Sequence, residues 1–168
     1  MTINHPHRAV IERFYDAFSR RDAAGMAACY HPSVHFSDPA FPDLHGFRAG
    51  AMWQMLCARG KDLVIAYSNV TATPTEGAAH WDATYTFSAT KRKVVNRIDA
   101  AFEFRDGLIV RHVDTFDFWK WSKQALGAPG LLLGWTPFLK KKVQGQASKG
   151  LDLYIAKNGL SSEKPIVG

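Results

Sequence analysis

The chain has 168 residues, 46% apolar and 21% charged, which suits one soluble globular domain with a sizeable core. No apolar run reaches the roughly 20 residues that span a bilayer, and residues 1–8 lack the apolar segment of a secretory signal, so the expectation is a cytoplasmic protein. Residues 1–118 hold 13 Lys+Arg and 13 Asp+Glu while 119–168 hold eight lysines and two acids, so the net charge of +6 excludes a broad nucleic-acid surface on the body and leaves only the tail basic.

Val10, Ile11, Phe14, Ala17 and Phe18 recur at helical spacing and predict an amphipathic helix over about 6–20. Asp22 is placed to cap a short helix over 23–30, which Pro32 ends. Residues 34–37 read as a short strand closed by Asp38-Pro39, because proline biases the preceding residue away from helical geometry. Residues 40–45 read as a loop. Phe47, Met52, Trp53 and Leu56 then trace a third helix that ends near Gly60. Four strands follow, over 63–73, 78–89, 94–104 and 108–119. Between the last two, Asp106-Gly107 flanked by alternating apolar residues is a hairpin signal, since Gly tolerates positive φ. Helices followed by an antiparallel meander predict an α+β domain.

The tail reads differently. Gly127-Ala128-Pro129-Gly130 breaks the chain, and 131–135 is apolar. Leu139, Val143, Ala147, Leu151, Tyr154 and Ile155 then predict a helix over 136–157 with lysines interspersed. The division expected is a domain over 1–126 and a basic helical extension over 127–168 that packs on the body or across a homodimer. A membrane-surface or partner-binding role is the alternative for that extension. Cys29 and Cys57 fall in predicted helices and suggest neither a disulfide nor a zinc site. His31, His35 and Asp38 bring no fourth ligand, so no metal is expected.

Three patterns in this order resemble the NTF2-like superfamily, in its SnoaL-like and ketosteroid-isomerase-like group. They are Phe14-Tyr15-Asp16-Ala17-Phe18 with Asp22 after it, the run from Tyr30 through His31-Pro32 to Asp38-Pro39, and the last hairpin. The resemblance covers about 6–119. It implies a cone-shaped α+β fold, a curved antiparallel sheet wrapped by N-terminal helices around an apolar cavity, usually dimeric. Against the ketosteroid isomerases, Asp38 falls on the proton-shuttling carboxylate, while Phe14 and Ala100 replace the two oxyanion donors. Tyr15 lies about 100° round the helix from Phe14 and is a poor substitute. Against the limonene-epoxide-hydrolase relatives, Asp114 matches one acid. Trp81, Ala83, Phe36 and Asp38 replace the rest of the water-activating set. The SnoaL-like polyketide cyclases, with an acid–base Asp near a His on the last strand, match His112 and Asp114 better.

On the last strand Leu108, Val110, His112, Asp114 and Phe116 share one face, which places a His and an Asp on an apolar wall. Asp38, His112 and Asp114 are therefore the candidate catalytic residues, because burial and a neighbouring carboxylate raise a carboxyl pKa into the range useful for proton transfer next to a carbonyl. Phe14, Tyr15, Phe36, Trp53, Trp81, Tyr85 and Phe102 are the candidate wall for a small hydrophobic ligand, with Asn96 as a polar contact. Two functions follow. One is a cofactor-independent isomerase, cyclase, dehydratase or hydrolase acting on a small apolar carbonyl or epoxide. The other is a non-catalytic binding domain. Asp38 also suits a structural Asx-turn, and His112 with Asp114 a satisfied buried pair.

Overall fold

The computed structural model describes residues 5–164. Its elements run α1 (His7–Ser19), α2 (Ala23–Ala27), β1 (Tyr30–Ser37), β2 (Leu44–His45), α3 (Phe47–Arg59), β3 (Val64–Ala72), β4 (Glu76–Phe87), β5 (Arg92–Arg105), β6 (Leu108–Thr115), α4 (Phe118–Leu126), α5 (Ala128–Leu133) and α6 (Pro137–Asn158). The strands form one six-stranded sheet in the order β2-β1-β6-β5-β4-β3. Every pairing is antiparallel except β1 with β6, which is parallel and corrects the all-antiparallel expectation.

The period-2 alternation of β5 decides which side is which. Val94, Asn96, Ile98, Ala100, Phe102 and Phe104 are buried, and the residues between them are exposed. The β4–β5 register pairs Trp81 with Ile98, Ala83 with Asn96 and Tyr85 with Val94. The β5–β6 register pairs Ala100 with Asp114 and Phe102 with His112. Helix α1 buries Val10, Ile11, Phe14, Tyr15, Ala17 and Phe18 against this inner side, as its spacing predicts. The hairpin turn forms at Asp106 (φ 54°) and Gly107 (φ 76°), the positive φ values that a tight connection between twisted strands requires.

Several boundaries differ from the sequence reading. The second helix stops at Ala27 and Tyr30 already belongs to β1. Pro32 lies inside that strand, where the pairing with β6 skips between Tyr30 and His35. Proline has no N–H for the ladder, so a strand carrying it is irregular there. Residues 44–45, read as loop, add β2 by pairing with Phe36 and His35. The last strand ends at Thr115 rather than 119, because the Asp117 carboxylate accepts from Lys120 N at 3.0 Å and starts α4. The Gly127–Gly130 break holds the short helix α5. Helix α6 matches its predicted span, capped by Thr136 in front of Pro137 and closed by Gly159 at φ 62°. Leu139 and Leu151 are buried, and Ala147, Tyr154 and Ile155 pack at the edge of the core.

Candidate functional site

β6 carries the two polar side chains inward, and three other elements meet them. His112 Nε2 lies 2.9 Å from Asp114 Oδ1, and His112 Nδ1 lies 2.8 Å from the Tyr30 hydroxyl of β1. Trp53 of α3 donates its indole N–H to that hydroxyl at 2.8 Å. Trp81 of β4 donates to Asp114 Oδ1 at 3.3 Å. His112 is fully buried and Asp114 almost so. A buried carboxylate without partners costs several kcal/mol, and these bonds offset part of that cost.

Around this chain of bonds the concave side is filled. The Phe14, Phe36 and Phe102 rings lie 4.5–5.4 Å from the His112 ring, and Trp53 stacks on it at 6.0 Å. Phe14, Tyr15, Phe36, Trp53, Trp81 and Phe102 are all buried. They are core packing around His112 more than an open wall, whereas the sequence reading placed them on a cavity. Local spacing puts Tyr30 at a helix end rather than in a strand parallel to β6, so its bond to His112 is not legible from the sequence.

Asp38 sits just beyond the end of β1 and is half-buried. Its Oδ1 accepts from Ala40 N at 2.7 Å and Phe41 N at 2.5 Å, so the Asx-turn does form. Burial pushes the Asp38 carboxyl up to about 7. The N–H of Phe41 opposes that rise, the charge of Asp114 adds to it, and the N–H of Ala40 opposes it again. Tyr85 is also raised, first by burial and further by the charge of Asp38, while its hydroxyl accepts from Trp121 Nε1 at 2.9 Å and so relieves part of the rise.

Polar atoms on this side outnumber the partners the protein provides. No described residue bonds Asp38 Oδ2, Asp114 Oδ2 or the Asn96 amide. The fully buried Tyr15 hydroxyl is likewise without a partner, and burial first and the charge of Asp114 next push it well above the ordinary phenol value. His112 thus forms a sealed base, while in an upper layer the charge of Asp38 reaches Tyr85 and Asn96 lies diagonally across the β4–β5 pair from Tyr85.

One set of metal-ligand atoms comes together elsewhere among the described residues. His35, Asp43 and His45 place theirs within 4.8 Å of one another on the exposed β1–β2 edge. Both imidazoles already bond Asp43 Oδ1, at 2.7 and 2.8 Å. His31 and Asp38, weighed with His35 from the sequence, do not join that set.

The sequence profile of the SnoaL-like domain matches residues 11–112. The chain belongs to the SnoaL-like domain family. Solved structures of the same fold cover most of it. A protein provisionally described as a polyketide cyclase from a Silicibacter species is 24% identical over 71% of this chain and 94% of its own, with a TM-score of 0.60. An epoxide hydrolase of M. tuberculosis, described as like limonene-epoxide hydrolase, is 18% identical over 76% and 92%, with a TM-score of 0.59. A Catenulispora acidiphila protein with a ketosteroid isomerase-like fold, in complex with trimethylamine, is 11% identical over 76% and 97%, with a TM-score of 0.63. No curated protein is similar enough to count as a match. These likenesses bear out the NTF2-like α+β fold, and the SnoaL-like match ends at His112, two residues before Asp114.

Proposed function

We propose that this SnoaL-like chain is a cofactor-independent acid–base enzyme that moves a proton on a small apolar carbonyl compound, as an isomerase, cyclase or dehydratase does. The observation that carries the reading is Asp38. One of its oxygens is fixed by two backbone N–H groups, the other bonds no described residue, and its carboxyl is raised to about 7. A carboxyl of that pKa is about half ionised at neutral pH, so it can take a proton and return it. In the step proposed, Asp38 Oδ2 takes a proton from the carbon next to the carbonyl. The electron pair of that C–H bond moves to the carbonyl oxygen as an enolate, and the proton then returns at the same or a neighbouring carbon.

The oxyanion donors of the ketosteroid isomerases are absent, since Phe14 and Ala100 stand in their positions. The Asn96 amide and the Tyr85 hydroxyl donate to no described residue, and they take that role in this proposal. Asp114 lies near enough to Asp38 to add to its raised pKa, and His112, held by Tyr30, bonds Asp114. His112 is thus a positioning residue, not one that touches the substrate.

The test is proton exchange. Small cyclic and aryl ketones are incubated with the protein in deuterated buffer, and loss of the α-proton signal is followed by NMR. The reading predicts exchange above background for at least one ketone with the parent chain, and background exchange with Asp38→Asn. Equal exchange by parent and variant, with any ketone that responds, would remove Asp38 from the chemistry. The second reading, a non-catalytic ligand-binding domain, is favoured by the sealing of His112 under aromatic rings. Ligand-induced thermal stabilisation of both parent and Asp38→Asn, without exchange by either, is its signature.

A further inference from the structure

The tail leaves an apolar knob on the surface that neither the core nor the proposed site uses. Leu131 (53% exposed), Leu132 (67%), Trp135 (69%) and Phe138 (70%) project from α5 and the turn into α6, and Trp119 of α4 lies beside them. Scattered exposed apolar residues are ordinary, but a contiguous group of large ones marks an interaction surface. Its surroundings are cationic. Residues 118–151 hold six lysines and no acid. The Lys123 ammonium lies 4.4 Å from the centre of the Trp119 ring, and the Lys140 ammonium 6.0 Å from that of Phe118. Next to α4, Lys91, Arg92, Lys93, Lys120 and Lys123 line a shallow groove of about 700 Å³ whose one other lining residue is Gln124.

The C-terminal end of α5 is prepared for a water-poor phase. A helix C-terminus leaves its last four carbonyls without intrahelical partners, and they ordinarily turn to water. In α5 all four are satisfied from within the protein. Gly130 O accepts from Gly134 N at 2.9 Å and Leu131 O from Trp119 Nε1 at 3.1 Å. Leu132 O accepts from Trp135 Nε1 at 3.0 Å, and Leu133 O from Thr136 N at 2.9 Å. The same bonds satisfy both indole N–H groups. The α5 end and the two indole rings can therefore approach hydrocarbon without carrying unpaired carbonyls or indole N–H groups with them, which lowers the barrier to burial in lipid.

We propose that the α5–α6 corner docks on an anionic phospholipid surface, with Leu132, Trp135 and Phe138 in the acyl boundary and the lysines on the headgroups. Charge complementarity selects this occupant. A second copy of this corner would set lysines against lysines, whereas anionic lipid neutralises them. The knob also projects outward, the shape that a deformable bilayer accepts.

The full-length chain is tested by co-sedimentation with vesicles of phosphatidylcholine alone or with about 30% phosphatidylserine. The anionic vesicles should bind at least tenfold more strongly. Raising salt from about 50 to about 300 mM should weaken that binding severalfold, because it screens the headgroup charge. Leu132→Glu with Phe138→Glu should cost at least tenfold. Lys140→Glu, Lys141→Glu and Lys142→Glu together should remove the preference for anionic vesicles, and this variant carries the test if the first one folds poorly. No partition of the parent chain into anionic vesicles overturns the proposal. So does binding that both variants retain. A dimer that Leu132→Glu with Phe138→Glu dissociates, with no vesicle binding by the parent, assigns the knob to a second copy.

Discussion

Asp38 holds a carboxyl that folding makes less acidic, and its stability consequence has a definite sign. In the unfolded chain an Asp ionises near 3.8, in the folded chain near 7. Between those values the folded state binds the extra proton, so the contribution of Asp38 to stability falls as pH rises through that window. Asp38→Asn keeps an acceptor for Ala40 and Phe41 but carries no charge. At pH 8 the variant should therefore be more stable than the parent by up to about 4 kcal/mol, and at pH 4 the two should be alike. Urea unfolding at both pH values measures this, and a variant less stable at pH 8 contradicts it. Tyr30 makes the complementary case. Its hydroxyl bonds His112 Nδ1 and accepts from Trp53 Nε1, all buried. Tyr30→Phe strands both groups and should cost about 2–4 kcal/mol of unfolding free energy. A loss near zero would mean the chain of bonds contributes nothing to stability. At this scale the sequence placed His112 and Asp114 inward correctly, because strand period decides the face. It did not reveal Tyr30 as their partner, because that contact depends on a parallel pairing between segments some 80 residues apart, which local patterns do not encode.

Among the elements, the amphipathic helices and the long antiparallel strands were legible, and the short or irregular ones were not. Helix α1, helix α6 and the last hairpin carry strong local signals: a periodic apolar face, Thr136-Pro137 in front of a helix, and Asp106-Gly107 at a turn. β2 has two residues and no period to read. Thr115–Trp119 continues the alternation of β6, so only the capping bond of Asp117 shows that a helix starts there. The α4–α5 corner rests on Gly130, where an added Cβ would collide with the backbone carbonyl of Ser122. Backbone cannot give way as a flexible side chain does. Gly130→Ala should therefore destabilise the chain by about 1–3 kcal/mol and loosen the corner. Hydrogen exchange of the α4 and α5 amides would report it, and unchanged protection would contradict the packing described.

The whole molecule is a SnoaL-like sheet and helices with α6 laid against the body. Leu151 and Leu139 are buried, and Arg48 of α3 bonds Asp152 of α6 at 2.7 Å. That ion pair is exposed and contributes little. Burying the two leucines is worth about 3–6 kcal/mol together. Deleting 127–168 should lower unfolding free energy on that order and raise aggregation, and a truncated chain as stable as the parent would show that α6 only rests on the surface. Fold class was legible from the order of helices and strands, but how full the concave side is was not. Aromatic residues read the same whether they line a cavity or fill it, and here Trp53, Phe36 and Phe102 close over His112. That closure moves the proposed chemistry up to Asp38, Tyr85 and Asn96, and makes the protonation of Asp38 the point on which the account turns. The most direct measurement is a ¹³C NMR titration of the Asp38 side-chain carboxyl in the full-length chain. The midpoint expected is near 7. A midpoint at or below the ordinary aspartate value of about 4 would leave Asp38 a structural turn residue and contradict the proposed proton transfer.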